Sequence, residues 1–245
     1  MVSEKLRAPW LLLGLVAMVC AAATSLVVGP ADIEISAVVR ELIDRLPLVT
    51  TDSGLSLIHA NIIWEVRLPR VLLGALVGAT LALSGASYQA VFRNPLADPY
   101  LLGAAAGAGL GATVAIVTGA GDGMGTFDTV PLLAFLGSLA AVALTYFLGY
   151  SSGVRRSPAA LLLAGVAVAS FLTAIQTFIQ QRNVETIRQV YSWILGRLNT
   201  ASWSEVSLLA PYALLASVAI LLHRRTLDVM RLGDAEASSV GIRPQ

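Results

Sequence analysis

From Trp10 to Leu222 the sequence returns repeatedly to apolar runs long enough to cross a bilayer, and no other feature restricts the fold so severely. A membrane-spanning helix needs about 20 largely apolar residues. Runs of this kind lie near 10–28, 71–92, 100–119, 129–149, 158–180 and 203–222, so the sequence predicts about six spans. Backbone groups in lipid must be satisfied within a helix or a closed barrel, and these runs are too long and continuous for barrel strands. The predicted fold class is therefore all-α, a polytopic membrane helix bundle formed as one domain by residues 1–245. Composition agrees, with 56% hydrophobic and 13% charged residues against the about 25% charged of a soluble domain. The first run reads as a retained span rather than a cleaved signal, since it lacks a small-x-small pattern ahead of polar sequence.

The net charge of +1, without a basic stripe interleaved with aromatics, argues against a nucleic-acid partner. Cys20 lies alone inside the first run, where it acts as a small packing residue and forms neither an internal disulfide nor a metal site. The glycine-rich "GAGDGMGTF" lacks the Lys-Ser/Thr pair of a nucleotide loop and reads as a turn. No Ser/His/Asp set shares a plausible cleft, and His59 and His223 fall on opposite sides of the membrane. The expectation is a non-enzymatic chain that holds no cofactor or metal of its own.

Sidedness follows from Lys and Arg. With the N-terminus inside, Lys5, Arg7, Arg93, Arg155, Arg156, Arg224, Arg225, Arg231 and Arg243 are internal. Arg40, Arg45, Arg67, Arg70, Arg182, Arg188 and Arg197 are external. The clean basic turns "SSGVRRSP" and "HRR" decide for this orientation. Glycines four apart, Gly74 with Gly78 and Gly103 with Gly107 and Gly111, place small faces on two helices and predict close helix contacts. The segment from Gly29 to Asn61 reads as an external cap, partly structured, with a short amphipathic helix near "ISAVVRELIDRL".

Between the second and third runs stands "RNPLADPYLLG". Pro95 and Pro99 lack an amide donor and disfavour helix in the residues before them, so one span stops near Arg93 and the next restarts near Tyr100. Asn94 and Asp98 are suited to cap amides in this sharp cytoplasmic turn.

The stretch Arg67 to Ala112, "RLPRVLLGALVGATLALSGASYQAVFRNPLADPYLLGAAAGAGLGA", closely resembles the signature of the FecCD-type permeases. These are the membrane subunits of ABC importers for iron-siderophores, haem and vitamin B12. Two later blocks, "YSWILGRLNTASWSEV" and "LDVMRLGDAEASSVGI", follow in the family's order. The resemblance implies that Arg67 and Arg70 meet acidic residues of an extracytoplasmic substrate-binding protein; by themselves they read rather as snorkelling anchors of the span. It implies that residues 227–242 form cytoplasmic coupling helices seated on an ABC ATPase subunit, with Leu232, Gly233, Asp234, Glu236 and Gly241 as the contact residues. Locally, Gly233 breaks this block, Asp234 can cap the following short helix and Gly241 supplies a stop.

The fifth run carries a polar ridge, Ser170, Thr173, Gln176, Thr177 and Gln180. Polar groups in a span face a helix interface or a watery path. The resemblance favours pathway lining, and interhelical hydrogen bonding competes with it. It also implies a second permease copy, identical or related, lipid around the bundle, a place in the cytoplasmic membrane, and ATP-Mg on the partner ATPase rather than on this chain.

Family members carry about ten spans, of which about six are expected here, and run about a hundred residues longer. The expected function is that of a type II ABC importer permease for an iron-siderophore-like chelate, or its N-terminal portion. Haem or cobalamin transport, or a non-transporting truncated remnant, are the alternatives.

Overall fold

The computed structural model describes residues 8–44, 54–120, 129–151, 158–196 and 198–230. Among them every regular element is helical: α1 (Ala8–Val27), α2 (Ile35–Asp44), α3 (Leu57–Asn61), α4 (Leu68–Phe92), α5 (Ala104–Val117), α6 (Thr129–Ser151), α7 (Pro158–Arg182), α8 (Ile187–Ile194), α9 (Trp203–Leu222) and α10 (Arg224–Met230). One π-helical turn, Ile62–Arg67, joins α3 to α4, and 3₁₀ turns cover Pro99–Leu102, Val184–Thr186 and Leu198–Thr200.

Five of these helical stretches are long and apolar enough to cross a membrane: α1, the continuous Leu57–Phe92 stretch, α6, α7 and α9. At the expected third span, 100–119, the helix is shorter than the apolar run. Its helix α5 has 14 residues, a length of about 21 Å against a hydrocarbon core of about 30 Å. The physical reason lies at its start. Pro99 opens a 3₁₀ turn that Gly103 ends in the left-handed region at φ 77°, which removes the first turn from the helix. The run is apolar because protein covers it on several sides: Gly107, Gly109, Ala112, Thr113 and Ala115 are buried.

The chain divides into two compact units. The first comprises Met1–Ala79 and Leu198–Leu215. Its small core packs Ile33, Val38 and Ile63 with Leu26, Ala37, Leu42 and Ile62 around them, so the Gly29–Asn61 segment includes an ordered cap whose amphipathic helix is α2. No residue of α1 is buried, which suits a helix that is apolar all round and turned toward lipid.

The second unit comprises Thr80–Arg197 and Ala216–Gln245. Its centre is α5 against α6 and α7. A side chain on Gly107 would run into the backbone of Gly137, one on Gly111 into Leu133, and one on Gly165 into Leu101. Backbone-to-backbone contact of this kind is how membrane helices associate without a hydrophobic driving force. The hydroxyl of Thr145 on α6 donates to the carbonyl of Leu102 at 3.0 Å, fixing the turn that precedes α5. Gly74 and Gly78 differ: a Cβ at either would meet nothing within 4 Å, so their spacing leaves an open face on α4.

Candidate functional site

The "RLPR" arginines stand where the π-helical turn passes into α4. Pro69 is fully buried there, and the N–H of Leu68 reaches back five residues to Ile63. The carbonyl of Trp64 faces Pro69, which has no N–H to offer it at the same five-residue spacing. The indole of Trp203 fills that role, donating to the Trp64 carbonyl at 2.9 Å. The Trp64 indole in turn donates to the Glu41 carboxylate of α2 at 2.9 Å.

Arg67 is only 5% exposed. One of its terminal nitrogens donates to the carbonyls of Leu26 and Val27, both at 2.8 Å, and the other to Ala31 at 2.7 Å. Carbonyls in the last turn of a helix lack intrahelical partners, and a cation there also complements the helix dipole. The last turn of α1 carries no basic residue of its own, so Arg67 caps it from α4's approach. Gly29 leaves the room: a Cβ on it would lie 2.8 Å from the guanidinium.

Arg70 is half-exposed. Its Nε donates to Leu198 at 3.0 Å and a terminal nitrogen to Asn199 at 2.6 Å. These carbonyls belong to the 3₁₀ turn ahead of α9. That helix opens with a capping arrangement in which the Ser202 N–H and hydroxyl both donate to the Glu205 carboxylate. The two arginines therefore hold different segments, Arg67 buried and Arg70 partly exposed.

In the second unit, the Asn94 side chain accepts from the N–H of Leu96 at 2.9 Å, and Asp98 accepts from Tyr100 at 2.7 Å. Pro95 and Pro99 lie in the same turn. An open cleft of about 420 Å³ is lined there by Leu81, Gly85, Gln89, Asp98, Pro99 and Tyr100. Arg93 donates from Nε to the carbonyl of Met230 at the end of α10.

The polar ridge of α7 divides. Ser170, Thr173 and Thr177 are exposed, the hydroxyls of Ser170 and Thr177 donating to their own helix at Val166 and Thr173. Gln176 and Gln180 are 9% and 8% exposed. The amide of Gln176 lies against Gly109 of α5, where an added Cβ would be 2.9 Å from its oxygen. The helix presents an open hydroxyl face and a buried carboxamide face, which sequence spacing alone did not separate. Leu232, Gly233, Asp234, Glu236 and Gly241 lie outside the described residues; α10 is the ordered approach to them.

Sequence reasoning missed Trp203, Trp64, Glu41 and Gly29 as parts of the arginine cluster. The one signal available was the proline in "RLPR", which leaves a helix carbonyl in need of an outside donor.

The family model of the FecCD transport family matches residues 15–245. The Bacillus subtilis uncharacterized ABC transporter permease protein YvrB is 36% identical over 187 residues, 76% of this chain and 53% of that protein. The ferric enterobactin transport system permease protein FepD of Escherichia coli is 37% identical over 184 residues, 75% of this chain and 54% of that one. The cobalamin import system permease protein BtuC of Halobacterium salinarum is 36% identical over 181 residues, 74% and 48% of the two chains. The chain thus spans about half the length of the curated relatives it matches. A solved inward-facing conformation of a candidate metal-chelate type ABC transporter is similar with a TM-score of 0.73 and 27% identity, covering 96% of this chain and 68% of that one. With its helices in this arrangement and the family model matched from within α1 onward, the chain belongs to the FecCD transport family.

Proposed function

We propose that the chain is the permease subunit, or the N-terminal portion of the permease subunit, of a type II ABC importer that carries a metal chelate across the cytoplasmic membrane with its N-terminus inside. The observation that carries this reading is the family match over residues 15–245, supported by five helices of span length. An extracytoplasmic binding protein delivers the chelate to the face bearing Arg70. Two permease copies form the pathway, and the exposed Ser170, Thr173 and Thr177 line it. An ATPase subunit, which binds ATP-Mg, docks on residues 227–242 through Leu232, Gly233, Asp234, Glu236 and Gly241. ATP binding then biases a two-state helix bundle through that docked block. Iron-siderophore is the proposed cargo; the relatives named for ferric enterobactin and achromobactin support it.

The test is co-purification from membranes of the source cells. A tagged chain should bring down an ATPase subunit, and Gly233→Trp or Glu236→Lys should abolish the association while membrane insertion persists. Failure of the unsubstituted chain to retain an ATPase would sink the permease reading and favour a non-transporting scaffold. In proteoliposomes holding the assembled importer, ATP-dependent uptake of a ferric siderophore but not of cobalamin would support the cargo assignment; uptake of cobalamin alone would reverse it.

A further inference from the structure

Gln176 and Gln180 lie one turn apart on α7 and are 9% and 8% exposed. Neither carboxamide has a hydrogen-bond partner among the described residues. Each brings two N–H donors and two acceptor lone pairs, which are costly in the interior unless something binds them. Gln176 turns its polar edge toward α5, where a Cβ on Gly109 would lie 2.9 Å from Oε1 and 3.3 Å from Nε2. Gly109 offers these atoms little. Its carbonyl already accepts the Thr113 hydroxyl at 2.7 Å besides its helical partner, and its Cα is a weak donor at most.

The register of the two helices carries the polar seam one turn further. Gly103, just ahead of α5, packs beside Gly165 and Val168, and Gly109 beside Gln176, so α5 and α7 run in the same direction. One turn on, Thr113 stands level with Gln180. Thr113 is fully buried, and with its hydroxyl proton given to Gly109 its oxygen remains an acceptor. The seam therefore gathers donors and acceptors but no carboxylate, since neither α5 nor α7 has an acidic residue. A hard metal ion needs carboxylates or many oxygens. A small neutral ligand that donates and accepts at once fits this set, and a buried water, making about three hydrogen bonds to otherwise unsatisfied groups, is such a ligand.

We propose that the seam between α5 and α7 is an internal hydration site, in which water bridges the carboxamides of Gln176 and Gln180 and the hydroxyl of Thr113, and that Gly109 leaves the room for it. Along this seam α7 is held by exchangeable water-mediated bonds, whereas α5 and α6 meet backbone to backbone at Gly107 and Gly137. The site consists of this chain's own side chains and does not depend on the permease reading.

Magnetisation transfer from water to the side-chain nitrogens of 15N-glutamine, read by solid-state NMR of the whole chain in lipid bilayers, tests it. At short mixing times the Nε2 signals of Gln176 and Gln180 should take up water magnetisation several-fold faster than the backbone amides of the same two residues. Gln176→Met, which keeps the side chain's length without its polar edge, should lower transfer at Gln180 several-fold. Gly109→Ala should lower it at Gln176. The exposed Gln189 should keep its rapid transfer in every variant, which reports an intact fold. Transfer at Gln176 or Gln180 no faster than at the backbone means a dry seam and overturns the site. Rapid transfer at Gln180 that ignores Gln176→Met means separately hydrated carboxamides and overturns the bridge. Should Gln176→Met fail to fold, Thr113→Val, which keeps the shape and removes the hydroxyl, must lower transfer at Gln180; no change there also overturns the bridge.

Discussion

Arg93 donates from Nε to the backbone carbonyl of Met230 at 2.7 Å, tying the residue that ends α4 to the last turn of α10. Arg93 holds this position in the left-handed region, at φ 51°, while the N–H of Asn94 reaches the carbonyl of Gln89 at 3.3 Å. This is a helix-ending motif whose left-handed residue is usually glycine. An arginine there costs roughly 1–2 kcal/mol in backbone strain, offset by a charged contact that joins the turn to the end of α10. Arg93→Gly should relieve that strain yet release α10, and Arg93→Ala should release α10 without relief. Both variants should raise deuterium exchange at 224–230, and the glycine variant should be about 1 kcal/mol more stable than the alanine variant in urea titration. Protection of 224–230 in both variants would show that Arg93 does not hold α10.

The glycines of α5 and those of α4 should behave oppositely although both sets are spaced by four. Gly107→Leu forces α5 away from the backbone of Gly137 and should cost about 2–3 kcal/mol in unfolding free energy. Gly78→Ala meets open space and should gain about 0.5–1 kcal/mol from helix propensity. Equal effects in denaturant titration in detergent would contradict the packing described for α5 and α6.

Gly109 and Gln176 should be energetically coupled. Gly109→Ala drives a methyl toward the buried carboxamide, whereas the same change in a Gln176→Ala background finds room. A double-mutant cycle on unfolding free energy should give a coupling of about 1 kcal/mol, the double variant being more stable than the sum of the singles. Additive costs would mean that the amide does not lie against α5.

Trp203→Phe removes the indole N–H that donates to the Trp64 carbonyl. The ring's bulk is largely kept. The loss should be about 1 kcal/mol, together with faster exchange at 62–68, where the π-helical turn depends on that outside donor. Exchange at 62–68 unaffected by the substitution would show the turn to be stable without it.

How much of this was legible beforehand differs by element. The spans near 158–180 and 203–222 are nearly those of α7 and α9, because about 20 consecutive apolar residues have only one stable backbone in lipid. The caps at Asn94 and Asp98 were also readable, since they use side chains two residues from the amides they serve. What the sequence could not convey was which apolar run meets protein instead of lipid. Hydropathy is the same for both environments, and only the fold shows that Gly107 and Gly111 of α5 meet the backbone of α6.

The sequence by itself thus determined the helical class, most of the span-length helices, the turn between α4 and α5, and the family. Tertiary structure alone decided what each polar residue does. Arg67 and Arg70 share one motif and one charge, but Arg67 ends on α1 and Arg70 on the turn before α9, because their acceptors lie tens of residues or more away in the chain. Likewise Thr173 and Gln176 share one ridge, and only the approach of Gly109 assigns the carboxamide to the interior. Local pattern specifies a helix through bonds within a few residues, whereas a guanidinium or an amide is given its role by whichever distant backbone folds against it.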